Sequence, residues 1–229
     1  MNTKHKKPTL TKKQRHRLRV QQVRRQKIFL TCLFLLIVGC ILLRFPGFSG
    51  RQEETHQINA ACEAYRDEVS SEAAQYDMSD YVDLLLAVMM QESSGQGTDP
   101  MQSSEGAYNA RYPQQPNGIT DPSYSISCGI QELKYALDKA GCTGPTDLSK
   151  IRLALQAYNF GADSYLAYLE ENGQTVWTAQ SAQAFAQMAS GNTQRDEDDP
   201  LHDPAGPWDY GDQYYPDHVL RYYHLDNNS

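Results

Sequence analysis

Between residues 82 and 93 the chain reads Val82-Asp83-Leu84-Leu85-Leu86-Ala87-Val88-Met89-Met90-Gln91-Glu92-Ser93, a nearly unbroken apolar run. Ser79 or Asp80 can cap a helix before it, and Ser94-Gly95-Gln96-Gly97 forces a stop after it. The pattern predicts a helix to about Glu92, apolar on all sides and therefore central to a core. Upstream, Ile58, Ala61, Cys62, Tyr65 and Val69 recur at three and four, which predicts a helix over residues 56 to 76. Downstream, residues 93 to 121 carry Gly, Pro, Ser, Asn and Gln with little periodicity, the mark of a long irregular loop. Further helices are expected over residues 129 to 140, ended by Gly141, and from Pro145-Thr146-Asp147 to about Asn159. Residues 161 to 172 and 178 to 190, stopped by Gly173 and Gly191, complete a mainly α pattern with no βαβ rhythm and no internal repeat.

Charge divides the chain. Residues 1 to 51 hold thirteen Lys or Arg and no acid, so the other 178 residues set eight bases against 28 acids, about -20. The basic part contains one apolar run, residues 28 to 43, broken by Thr31, Cys32, Gly39 and Cys40. Its sixteen residues at about 1.5 Å each fall slightly short of a hydrocarbon core of about 30 Å, and Phe45 with snorkelling Lys27 and Arg44 supplies the rest. The expected organisation is a basic cytoplasmic tail (1–27), a transmembrane anchor (28–45), a linker (46–55) and one extracellular domain (56–229). A cleaved signal peptide and lipidation at Cys40 within Ile37-Val38-Gly39-Cys40 are the alternatives; no small-x-small site precedes a polar stretch, and Ile41-Leu42-Leu43 continue the apolar run past the cysteine. The Lys/Arg-rich tail reads as a topology and anionic-lipid signal, with no specific nucleic acid as partner.

Glu92 is the first candidate for chemistry. A carboxyl group at the end of an apolar helix meets apolar neighbours, little water and the negative end of the helix dipole, all of which favour its protonated form. Those are the requirements of a general acid. The blander reading is a solvated Glu at a fraying helix end. Two further blocks follow in order: Ser127-Cys128-Gly129-Ile130-Gln131 and Ala157-Tyr158-Asn159-Phe160-Gly161.

This ordered trio resembles the Glu-Ser, Gly-Leu-Met-Gln and Ala-Tyr-Asn signatures of the lysozyme-like superfamily, which includes lytic transglycosylases and goose-type lysozymes. The stretch from Met89 through Asp99-Pro100-Met101-Gln102-Ser103-Ser104-Glu105, with Asp217-His218-Val219-Leu220-Arg221-Tyr222-Tyr223, narrows the likeness to the CwlT-type muramidase module of Gram-positive conjugative elements. The resemblance implies a lysozyme-like α-helical domain with a long cleft loop. It also implies cleavage of the β-1,4 bond between N-acetylmuramic acid and N-acetylglucosamine in peptidoglycan, at a conjugation or type IV secretion apparatus. Glu92 would protonate the glycosidic oxygen and Asp99 would support charge or water across the sugar. Ser93, Gly129, Gln131, Tyr158 and Asn159 would line the glycan site. Each has a plain alternative: Asp99 as a turn residue before Pro100, Ser93, Gly129 and Gln131 as ordinary helix residues, and Asn159 as a helix terminator. A lytic transglycosylase and an inactive wall-binding or secretion-scaffold subunit are the competing functions. Trp177, Trp208, Tyr210, Tyr214 and Tyr215 are either sugar platforms or loop packing.

Other chemistries lack their residues. Six His occur without H-E-x-x-H, and G-x-S-x-G and G-x-x-x-x-G-K-[ST] are absent, so no metal and no cofactor is expected. Arg195-Asp196-Glu197-Asp198-Asp199-Pro200 lacks calcium-loop spacing and reads as an exposed loop. Cys62, Cys128 and Cys142 are an odd set outside the apolar run, with a Cys128–Cys142 bridge left open. The charge pattern yields a topological prediction: protease added to intact protoplasts should digest the chain beyond residue 52 and spare the N-terminal tail. A protected C-terminal domain would overturn the export argument.

Overall fold

The computed structural model describes residues 56–199 and 202–224. The tail, the anchor segment at 28–45 and the linker lie outside the described residues. Among the described residues no helix is long and apolar enough to cross a membrane.

The described part is helical. In chain order the helices are α1 (Ala60–Glu63), α2 (Arg66–Ala74), α3 (Val82–Glu92), α4 (Pro122–Ala140), α5 (Leu148–Phe160), α6 (Ala162–Glu171), α7 (Ala179–Ala189) and α8 (Tyr215–Leu220). Single 3-10 turns occupy Ser79–Tyr81 and Ser103–Glu105. Leu84 through Met89 of α3 are fully buried, as an all-apolar helix must be. α4 packs against α5, α5 against α6 and α8, and α3 against α2 and α8. The core therefore surrounds α3, and the end of α3 emerges beside α8.

Three boundaries differ from the periodicity. The expected first helix is two pieces, because α1 serves the back of α3 while α2 packs on both α3 and α4. Cys62 Sγ lies 3.9 Å from Met90 Sδ, and the Ala61–Cys62 backbone comes so close to Gly95 that a Cβ there would sit 2.8 Å away. Only glycine fits, the more so at φ +72. Before α3, Ser79 and Asp80 belong to the 3-10 turn, and Tyr81 at the cap position makes no capping hydrogen bond, its hydroxyl instead lying 3.6 Å from Cys142 Sγ. α4 starts at Pro122, seven residues before the expected boundary at Gly129, with Asp121 capping Tyr124 N and Pro in the first turn. The block Ser127 to Gln131 thus lies inside a helix. α5, α6 and α7 fall within a residue or two of expectation, capped by Asp147, Gly161 and Thr178.

The acidic segment is also more ordered than its composition suggests. Gln194 and Trp208 form an isolated antiparallel bridge, Arg195 N donates to Pro207 O at 2.8 Å, and Gln213 is buried. The three cysteines are free thiols, so no Cys128–Cys142 bridge is present.

Gly129 carries a consequence for stability. An added Cβ would stand 2.6 Å from Met101 Cβ, an atom that moves only with the backbone. Gly129→Ala should therefore destabilise the domain by about 1–3 kcal/mol through overpacking. Thermal melting should read this as a drop of about 2–4 °C per kcal/mol, and an unchanged midpoint would show that the loop yields freely.

Candidate active site

Glu92 ends α3 half-buried. The helix stops here because Ser93 caps it and Ser94 and Gly95 take positive φ, 56° and 72°. Glu92 Oε1 accepts a hydrogen bond of 2.5 Å from the hydroxyl of Tyr215, 123 residues away on α8. Burial, and then the negative charge of Glu92, pushes the Tyr215 phenol well above its ordinary range, so it stays a donor. Tyr158 of α5 stacks on Tyr215 with ring centroids 6.1 Å apart. Its hydroxyl donates to Met101 O at 3.2 Å. Burial raises the Tyr158 phenol too, with the charges of Glu92, Glu132 and Asp99 adding to it in that order. Two neutral tyrosines thus floor the site beside Glu92, and three carboxyl groups stand around one of them.

Asp99 is 1% exposed. Its Oδ1 accepts from Ser103 N at 3.1 Å and Ser125 Oγ at 2.6 Å. Its Oδ2 accepts from Ser104 N at 3.2 Å and from Ser104 Oγ. A carboxylate offers about four acceptor sites, and all are occupied by protein donors. Where the sequence suggested a group open to sugar or water, this geometry presents an organiser of the loop. Ser104 Oγ also accepts Ile119 N at 2.8 Å, and Ser125 Oγ accepts Met101 N at 3.1 Å. One carboxylate therefore ties both ends of the 93–121 loop to α4.

The other expected site residues divide. Ser93 Oγ donates to Pro100 O at 2.7 Å and accepts Gly95 N at 3.1 Å, so its partners are loop backbone. At Gly129 the close neighbour is the Met101 side chain, and the expected approach of backbone to sugar gives way to loop packing. Gln131 Nε2 turns back to Ser127 O at 3.1 Å, as a residue in mid-helix can. Asn159 Oδ1 accepts Asp212 N at 2.7 Å and holds the loop before α8. Gln156 supports the same loop, donating to Asp212 O at 2.8 Å while accepting Trp177 Nε1 at 2.9 Å. Trp177 is thereby a packing residue. Of the expected set, Tyr158 stands beside Glu92, whereas Gly129, Ser93, Asp99 and Asn159 hold the surrounding loops.

Two residues were not singled out by the sequence. Tyr215 had been one aromatic among several. Glu132 stands in no motif that marks it. It is half-buried on α4, and its Oε1 accepts Ala107 N at 2.8 Å. Burial pushes its carboxyl up to about 7, with the Ala107 N–H opposing and the Asp99 charge adding. The signal for it was a spacing: Tyr124, Cys128 and Glu132 fall on one helix stripe.

A family model described as Lysozyme-like matches residues 60–223. The chain belongs to the lysozyme-like family. The lysozyme-like chain is 35% identical over 178 residues to the Bifunctional muramidase/DL-endopeptidase CwlT of Bacillus subtilis, covering 78% of this chain and 46% of that one. It is 33% identical over 162 residues to the Uncharacterized membrane protein YocA of the same organism, covering 68% and 65%. A crystal structure titled as similar to a lipoprotein of the NLP/P60 family, from Staphylococcus aureus, superposes with a TM-score of 0.62 at 27% identity, covering 76% of this chain and 56% of that one. The lysozyme-like chain therefore spans about half to two thirds of these relatives. The likeness supports the helical domain and leaves the roles of individual side chains to geometry.

The Asp99 network predicts a stability effect separable from chemistry. Asp99→Asn replaces one acceptor oxygen by an NH2 group facing backbone N–H donors, which cannot rotate away. The variant should lose about 1–3 kcal/mol, measured by urea unfolding. Its activity per folded molecule, below the transition, should stay within a few-fold of the parent. A loss of turnover by orders of magnitude at unchanged stability would restore Asp99 to the chemistry.

Proposed function

We propose that this domain cleaves the β-1,4 glycosidic bond between N-acetylmuramic acid and N-acetylglucosamine in peptidoglycan, with Glu92 as general acid. The observation that carries the reading is Glu92 at the broken end of the central helix, held by the Tyr215 hydroxyl at 2.5 Å. Tyr215 orients the carboxyl by donating to Oε1, and a carboxyl so oriented can pass a proton to the leaving oxygen. Stacked Tyr158 and Tyr215 give the carboxyl a low-water setting. The muramidase named among the relatives supports the same substrate class.

Placement follows from charge. The segment at 28–45 would anchor the protein with the tail inside and the acidic domain outside, in keeping with the membrane protein among its relatives. A role in opening the wall locally for a conjugation or secretion apparatus rests on the family resemblance alone.

A second reading is favoured by Asp99. With that carboxylate closed, the muramic C6 hydroxyl becomes an attractive nucleophile, as in lytic transglycosylases, and a 1,6-anhydro product forms. Hydrolysis gives a reducing end heavier by one water.

Digestion of purified peptidoglycan, with product masses, tests both readings. The parent protein should release muropeptides, and Glu92→Gln, which keeps an oxygen for Tyr215, should fold normally and lose activity by a factor of about 100 or more. Full activity in a well-folded Glu92→Gln protein would rule out Glu92 as the acid.

A further inference from the structure

α8 carries the hydroxyl that holds Glu92, yet it has only six residues, and a helix so short has little stability of its own. Tyr214 at its cap makes no capping side-chain hydrogen bond, and Pro216 in its first turn has no N–H to give. Asp212, just before it, supplies the seat. Asp212 Oδ1 accepts Tyr214 N at 2.9 Å, and Asp212 O accepts Tyr215 N at 3.3 Å. Toward α5, Asp212 N donates to Asn159 Oδ1 at 2.7 Å, and Asp212 O accepts Gln156 Nε2 at 2.8 Å. Asp212 Oδ2 takes its bond from within α8, where His218 Nδ1 donates to it at 2.6 Å. One aspartate is thus tied to α5 by its backbone, and by its carboxylate to the start of α8 and to a residue one turn in.

This pair is joined to the acid by a continuous path. His218 lies three residues after Tyr215, whose hydroxyl meets Glu92 Oε1 at 2.5 Å. Asn159, which holds Asp212, follows Tyr158, the ring stacked on Tyr215. Other polar ties of α8 are looser. The Arg152–Asp217 pair is open to solvent, where such pairs contribute little. Arg221 reaches Gln91 Oε1 at 3.1 Å from the far end of the helix.

We propose that Asp212 and His218 are the positioning pair of the glycosidase site: their hydrogen bond fixes the rotation of α8 about its axis and so aims the Tyr215 hydroxyl at Glu92. The assignment rests on the reading given above, in which Glu92 is the acid. Neither residue passes a proton to substrate; both act through Tyr215.

The pair is sensitive to charge. Its hydrogen bond with Asp212 raises the His218 ring above its ordinary range, with burial and Arg221 opposing and the charges of Asp212 and Asp203 adding. From the helices packed on α8 come Arg152 of α5, paired with Asp217, and Glu92 of α3, bonded to Tyr215. The folded chain holds the His218 proton more tightly than the unfolded chain. The stability this contributes is therefore full below about 6.5 and is lost as pH rises through the folded value.

The test follows peptidoglycan cleavage by the full-length chain in detergent at pH 6, below the thermal transition of every variant. His218→Ala removes the donor and should lower kcat about 10-fold with KM within a few-fold, because a small misplacement of a reacting group is costly. His218→Asn places an amide N–H where Nδ1 stands and should recover most of that loss. Tyr215→Phe should lower kcat by about 10-fold or more, and adding His218→Ala to it should change kcat by less than about 2-fold, since two residues acting through one contact are not additive. The melting difference between the parent and His218→Ala should narrow from pH 6 to pH 9. Parental kcat in folded His218→Ala, no recovery in His218→Asn, or the full His218→Ala loss repeated in the Tyr215→Phe background would overturn the proposal and leave Glu92 in place. Equal activity in Glu92→Gln and the parent would instead overturn the glycosidase reading beneath it.

Discussion

A buried carboxylate, Asp99, sets the position of almost everything around the cleft. Removing it from water is costly, by several kcal/mol for a charged group. Hydrogen bonds to a charged acceptor return about 1.5–3 kcal/mol each, and Asp99 makes four, to Ser103, Ser104 and Ser125. The arrangement therefore favours one loop conformation over the many open to a segment without periodicity. From that fixed point the consequences are sequential. Ser125 also receives Met101 N, Met101 O receives the Tyr158 hydroxyl, and the Met101 side chain fills the space that Gly129 leaves. Tyr158 in turn stacks on the tyrosine that holds Glu92.

This chain of dependence explains what the sequence disclosed. The apolar run of α3, its stop at Ser94 and Gly95, and the position of Glu92 are local facts, and periodicity with turn chemistry reaches them. The ordered motif blocks disclosed the family. The start of α4 was missed because Ser123, Ser125 and Ser127 disguise the helix, although Asp121 and Pro122 were there as cap and first-turn residue. Partnerships were out of reach. No spacing announces that Tyr215 will meet Glu92 across 123 residues, or that Asn159 will accept Asp212 N from the loop before α8. Asp99 stands out in its motif block, but composition cannot tell an open carboxylate from one enclosed by serines.

The domain combines strong acidity with a neutral floor. Arg66, Lys134, Lys139, Arg152 and Arg195 are each paired with carboxylates. Beside Glu92 the donors are phenols that stay protonated because they are buried and face negative charge. Tyr215 orients the Glu92 carboxyl while itself remaining neutral.

The stripe of Tyr124, Cys128 and Glu132 also sets a rule for how relatives of this chain can differ in length. A helix turns by roughly 100° per residue, so a single insertion between Tyr124, which takes Ala110 N from the loop, and Glu132 would swing Glu132 off the loop while Tyr124 stayed on it. Four inserted residues would come closer to restoring the face, at the expense of about 6 Å of travel along the axis. The exposed turn of Pro113, Gln114 and Gln115, by contrast, hydrogen-bonds to none of the three side chains. Gaps accumulating in that turn, with none between positions 124 and 132, would be the trace this clamp leaves in an alignment.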